Sequence, residues 1–150
     1  MLFFLIYVSK AAVPMHHTEL LCLLQNARSH NAYNSLTGML LFVPAKTQNI
    51  GNGRFIQVLE GSKENVIAIF ERILADKRHH HITILNQGHL NVRNFAEWQM
   101  GFEYIEESNF KDESGYVKLN DAFFENFQPE KFNFALNFLK SFYDLRTKIG

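Results

Sequence analysis

Gln57 is the residue whose position most needs a chemical explanation. It stands between Phe55 and Leu59 in the run Arg54–Glu60, which reads as a β-strand carrying those three residues on one face. That face is expected to lie under helices, and a buried carboxamide without partners costs about 1–3 kcal/mol. Tyr7 lies near the end of Leu2–Ser9, an apolar run with aromatic and β-branched members that reads as a buried first strand. If the two strands are neighbours, the phenol can donate to the amide. On spacing alone, a structural tyrosine–amide pair inside a core is the simpler reading.

Other candidate chemistry is thinner. His79, His80 and His81 are consecutive, so they cannot all face one metal from a strand, and no acidic or cysteine partner stands nearby in sequence. No metal site is expected, and an exposed turn accounts for His81 equally well. Cys22 lies among leucines and reads as a small core residue. As the only cysteine, it excludes an internal disulfide. Glu60 ends a strand and Glu64 begins a helix, so they make no convincing acid–base pair.

The elements that must position Tyr7 and Gln57 follow from periodicity. Leu20, Leu21, Leu23, Leu24 and Ala27 recur at helical spacing and predict a helix over Thr18–His30, followed by a turn over Asn31–Ser35. Leu36–Val43 reads as a second strand, with Gly38 allowing close approach of a neighbour. The connection Pro44–Gly53 is longer than a tight hairpin needs. Ser62 can cap a second helix on which Val66, Ile69, Phe70, Ile73 and Leu74 form one face. Ile82–Asn91 and Trp98–Ile105 read as a fourth and a fifth strand. This order predicts an α+β, ferredoxin-like βαββαβ sheet of about five strands with both helices on one face.

The tail is expected to cover the other face. Glu106–Gly115 reads as a polar linker, Leu119–Phe127 as a short helix, and Pro129 suits the start of another. On that last helix Phe132, Ala135, Leu136, Leu139 and Phe142 form one stripe, and Phe134, Phe138 and Leu145 a second. One stripe can pack on the bare sheet face; the other can meet a neighbouring helix or a partner chain. Residues 1–105 thus read as a core, and 106–150 as a helical cap in the same domain.

Composition sets the outer limits. At 150 residues the chain has about one domain's worth of core. Fifteen Lys and Arg balance fifteen Asp and Glu. The absence of a positive field argues against nucleic-acid binding, and zero net charge favours association, here a homo-oligomer. The apolar start Met1–Val8 is too short to span a membrane and has no basic flank, so no signal peptide or membrane partner is expected and a cytoplasmic location is the default.

Six segments, taken in order, resemble the BLUF family of flavin-binding blue-light sensors. They are Leu5-Ile6-Tyr7-Val8-Ser9, Ala27-Arg28-Ser29-His30-Asn31, Leu36-Thr37-Gly38-Met39-Leu40, Phe55-Ile56-Gln57-Val58-Leu59-Glu60-Gly61, the stretch from Arg72 to His80, and Phe95-Ala96-Glu97-Trp98-Gln99-Met100-Gly101-Phe102. The resemblance covers roughly residues 2–105 and implies a flavin, FAD or FMN, held without covalent attachment between the two helices. It implies that Asn31 and His30 face the polar edge of the ring, that Leu23 and Ile73 sandwich it, and that Phe55 lies beside it. It assigns Arg72, Asp76, Arg78, His79 and His80 to the ribityl and phosphate end. Trp98 and Met100 match the last-strand pair whose position responds to light.

By the same resemblance, light drives electron and proton transfer from Tyr7 and a rearrangement of Gln57, whose amide carries both donors and an acceptor. The result is a switch without turnover, read by a downstream protein. Ser35 departs from the family where a glycine is common. Two rivals remain on the same scaffold: a light-blind interaction module, and an acyl-phosphate hydrolase. The hydrolase needs a phosphate-cradling loop, and Ser9-Lys10-Ala11-Ala12-Val13 has no glycine to form one.

Overall fold

The computed structural model of the chain describes residues 2–13, 19, 22–23, 25–27, 29, 31, 35–42 and 52–95, and the backbone alone at 43 and 101–104. The chain divides into two compact units, Met1–Tyr116 and Val117–Gly150. Every described residue lies in the first, so the predicted tail helices fall outside the described residues.

Five strands form one sheet: β1 (Leu2–Ala11), β2 (Thr37–Val43), β3 (Arg54–Ser62), β4 (His79–Leu90) and β5 (Gly101–Tyr104), in the order β4-β1-β3-β2-β5. The first four pair antiparallel, and β5 joins the β2 edge in parallel. This is the expected ferredoxin-like order with one strand added. The central strands β1 and β3 are buried on both faces, which explains why they read as nearly unbroken apolar runs.

Three strands begin or end away from their expected positions. β3 runs to Ser62 rather than Glu60, because Gly61 and Ser62 still pair with Phe3 and Leu2. β1 runs two residues past Ser9 because Lys10 and Ala11 still pair with β4 and Lys10 with β3. β4 starts at His79 rather than Ile82 for the same reason: backbone pairing recruits three histidines that carry no strand signal of their own. Between the pairs Val8–Thr83 and Lys10–His80, two β4 residues oppose one on β1, a bulge in which His81 takes φ 55°. His81 therefore belongs to a strand rather than a turn.

The helix Lys63–Leu74 starts where Ser62 caps it, its hydroxyl accepting from the Asn65 N–H at 3.2 Å. It buries Val66, Ile69 and Phe70 against Phe3, Leu5, Tyr7 and Leu59. Each such side chain contributes about 1.5–3 kcal/mol of burial. Ile73 is half-buried, but Leu74 is 55% exposed, so the apolar stripe stops one residue earlier than its spacing suggested.

The described positions from 19 to 31 are helical, Asn31 included. Leu23 and Ala27, four residues apart, pack on the same core. Cys22 is exposed rather than buried. One residue along a helix is a rotation of about 100°, which carries Cys22 off the inward stripe set by Leu23 and Ala27. The Leu36 N–H donates to the Asn31 carbonyl at 2.8 Å, with Ser35 left-handed at φ 55°. That is the bond pattern of a helix C-terminus, where glycine is usual.

The second sheet face is apolar as well: Phe4, Ile6, Met39, Leu41, Ile56 and Val58 are all buried. Gly38 fulfils its expected role, since a Cβ there would stand 2.0 Å from the Val58 carbonyl oxygen. Among the described residues no helix is long and apolar enough to cross a membrane.

Candidate functional site

Tyr7 and Gln57 are direct cross-strand partners in the β1–β3 ladder. Directly opposed residues share a face, so the register alone brings phenol and amide together. The Tyr7 hydroxyl donates to Gln57 Oε1. Tyr7 is 3% exposed and Gln57 6%. Burial first, and the negative charge of Asp76 second, push the phenol far above its ordinary pKa. Tyr7 therefore stays protonated and donates at any working pH. The Tyr7 ring is held edge-on by Phe70 at 5.5 Å and by His79 at 6.1 Å between centroids.

This pair forms part of the wall of a cavity of about 580 Å³. That lies inside the roughly 300–1,000 Å³ range of small-molecule sites. Tyr7, Leu40, Phe55 and Gln57 form its sheet side. Leu23, Asn26, Ala27 and Asn31 face it from the first helical stretch, and Ile69, Arg72 and Ile73 from the helix Lys63–Leu74. Ala75, Asp76, Arg78 and His79 supply the remaining wall, from the loop and the start of β4.

Polarity is graded along these walls. The charged groups cluster at one end, where the Arg78 guanidinium Nε donates to both Asp76 oxygens at 2.9 and 3.0 Å and the Arg78 N–H donates at 2.9 Å. Those bonds hold the Asp76 carboxyl below its usual range against the opposing effect of burial. His79 is fixed at the same end: its Nε2 meets the Ile73 carbonyl at 2.7 Å and its Nδ1 the Ser9 hydroxyl at 2.8 Å. A carbonyl only accepts, so Nε2 carries a proton toward Ile73, which fixes the ring's orientation with Nδ1 toward Ser9. Elsewhere the wall is apolar, with two buried amides, Asn31 and Gln57, set into it.

The cavity gathers most of the residues singled out from sequence. Tyr7, Leu23, Asn31, Phe55, Gln57, Arg72, Ile73, Asp76, Arg78 and His79 all line it. His80 does not: it points to solvent with its ring against His81, because neighbouring strand residues face opposite ways. His30, Trp98 and Met100 lie outside the described residues.

Sequence reasoning missed Asn26, Ala27, Leu40, Ile69 and Ala75 as lining residues. Asn26 was detectable, since it falls three residues after Leu23 on the same helical face. Leu40 and Ile69 carried only a core signal. The residues present fit a flavin: apolar walls for a tricyclic body, amides for its polar edge and an arginine–carboxylate end for its polar chain.

The chain belongs to the BLUF family, sensors of blue light using FAD, whose model matches residues 2–101. It is 36% identical over 97 residues to photoactivated adenylate cyclase subunit beta of Euglena gracilis, covering 64% of this chain and 10% of that protein. The chain thus spans about a tenth of the length of that relative. Among solved structures it resembles a bacterial light-regulated adenylyl cyclase at 30% identity and TM-score 0.63, over 72% of this chain and 30% of that one. It shares the fold of BlrB, a BLUF protein in its dark state, at 24% identity and TM-score 0.61, over 69% and 72% of the two chains. This is a flavin-binding blue-light sensor, and such a unit is a photosensor rather than an enzyme in itself.

Proposed function

We propose that Tyr7 is the electron donor of this photoreceptor and Gln57 its hydrogen-bond switch. When bound, the flavin supplies a ring that absorbs blue light and accepts an electron in its excited state. Tyr7 gives up that electron, and its phenolic proton leaves along the hydrogen bond to Gln57 Oε1. The reverse transfer restores the phenol, and Gln57 is left rotated or tautomerised, with a different donor turned toward the cavity. A Gln57 donor turned toward the polar edge of a bound flavin would lower the ring's transition energy and shift absorption to the red. No substrate bond is made and no product leaves, so the unit works without turnover.

In this reading Asn31 and His30 hold the polar edge of the ring, while Leu23, Phe55 and Ile73 wall it. Arg72, Asp76, Arg78, His79 and His80 serve the ribityl and phosphate end of FAD. Trp98 and Met100, outside the described residues, respond to light. Residues 1–105 are the sensing core, and the expected cap over 106–150 lies outside the described residues. The output passes to a separate protein in the cytoplasm, from a homo-oligomer. What carries the reading is one observation: a buried phenol donates to a buried carboxamide in the wall of a flavin-sized cavity. The absorption spectrum of the purified protein tests it. A flavin spectrum that shifts reversibly to the red under blue light is expected; bound flavin with no shift would defeat it.

A further inference from the structure

Glu60 is a fully buried carboxylate that the photochemistry above does not use. It lies on the same strand as Gln57, three residues on, and so on the opposite face of the sheet. Its two oxygens accept from the Asn94 N–H at 2.7 Å, the Phe95 N–H at 2.9 Å and the Thr37 hydroxyl at 3.0 Å. Arg93 completes the cluster, donating to Thr37 Oγ1 at 2.9 Å, to the Glu60 carbonyl at 3.2 Å and to the Ser35 carbonyl at 2.8 Å.

The place of these bonds gives them meaning. β4 and β5 are opposite edges of the sheet, so the chain between Leu90 and Gly101 must cross it. Glu60, on the middle strand, grips that crossing at Asn94 and Phe95. β5 pairs with the sheet at β2, where Leu40 stands opposite both Gln57 and Phe102. β5 is therefore tied to the strand of Gln57 in two ways, through β2 and through the Glu60 grip. The Asn94 amide is buried at 7% exposure, yet among the described residues neither its nitrogen nor its oxygen has a hydrogen-bond partner. A buried amide left without partners is destabilising where it stands, which lowers the cost of moving this turn.

We infer that Glu60 is the positioning residue that couples Gln57 to the β4–β5 crossing, holding the amides of Asn94 and Phe95 from the far side of the same strand. A shift of β3 at Gln57 moves the carboxylate, and the carboxylate moves the turn that leads to β5. This rests on the assignment of Gln57 as the switch, and the experiment separates the two. Hydrogen exchange is compared in dark and light on the full flavin-loaded chain, wild type, E60Q and T37V. An amide at position 60 keeps one acceptor but not two, so E60Q releases one of the backbone donors. T37V removes the hydroxyl that donates to Glu60 and accepts from Arg93, and leaves both backbone donors on the carboxylate.

The expected result is a red shift in all three proteins. The light-minus-dark difference at Gly101–Tyr104 is present in wild type, reduced in T37V and lost in E60Q, while the difference around Tyr7 and Gln57 persists. A wild type without a red shift would defeat the assignment of Gln57 instead. An undiminished difference at Gly101–Tyr104 in E60Q, or its absence in wild type, would overturn the coupling. If E60Q fails to hold flavin, T37V alone decides: a reduced difference supports the coupling and an unchanged one overturns it.

Discussion

Replacing Tyr7 by Phe separates what the phenol does for the fold from what it does for light sensing. The substitution removes one oxygen and keeps the ring, so the edge contacts with Phe70 and His79 survive. What is lost is the hydrogen bond to Gln57 Oε1, between residues 3% and 6% exposed. The net bond contributes about 0.5–1.5 kcal/mol, and leaving a buried acceptor without this donor adds up to about 1–3 kcal/mol. A loss of about 1–3 kcal/mol is therefore expected. For a chain of this length that lowers Tm by roughly 3–10 °C. Flavin stays bound, because the cavity keeps its walls, but the reversible red shift disappears along with the donor proton. Thermal melts followed by flavin fluorescence, with dark and illuminated absorption spectra, read both effects. A full red shift in Tyr7→Phe would refute the donor role, and flavin loss at unchanged global stability would mean that Tyr7 mainly binds the ring.

Three further outcomes follow from single positions. Gly38→Ala brings a Cβ to 2.0 Å from the Val58 carbonyl oxygen, more than 1 Å inside ordinary contact of 3.4 Å; β2 must draw away from β3, costing above about 3 kcal/mol and weakening flavin retention, as urea melts and flavin content will show. Ser35→Gly relieves a left-handed backbone worth about 1–2 kcal/mol against a glycine entropy cost of about 0.5–1 kcal/mol, so a gain near 0.5 kcal/mol is expected in denaturant melts. Asp76 titrates in the folded protein below its ordinary value of 3.8, so its pairing with Arg78 stabilises fully above that pH and is lost as pH falls through the lowered value. The pair is partly solvated, so Asp76→Asn should cost under about 1 kcal/mol at neutral pH, and that difference from wild type should vanish as pH falls below the lowered value.

The sheet and the heart of the site were legible because both depend on short periodicities. Alternation placed Phe55, Gln57 and Leu59 together, and the ferredoxin-like order put β1 beside β3, so the Tyr7–Gln57 contact followed before any coordinates. Helical spacing put Leu23 and Ile73 on inward stripes, and the family resemblance singled them out as ring walls; both line the cavity. The failures arise where a pairing partner or a rotation decides. His79 to His81 look like a loop because nothing in three histidines specifies a strand; only Lys10 and Ala11 on β1 recruit them. Cys22 looked buried because its neighbours are leucines, whereas the inward direction is set by Leu23 and Ala27.

Glu60 marks the deeper limit. From sequence it stood as a carboxylate at the end of a strand, without an acid–base partner, and that remains true. Its partners in the fold are mainly backbone amides, which every residue carries and which no side-chain pattern announces. Burial outweighs those bonds enough to hold its pKa above the ordinary carboxylate value, so the site tolerates a costly group to keep the crossing turn in place. A hydrophobic residue there would pack without gripping anything. The two faces of β3 thus carry different tasks. Gln57 meets the light-sensing cavity on one side, and Glu60 holds the route to the edge strand on the other, so a small displacement of one strand reaches both.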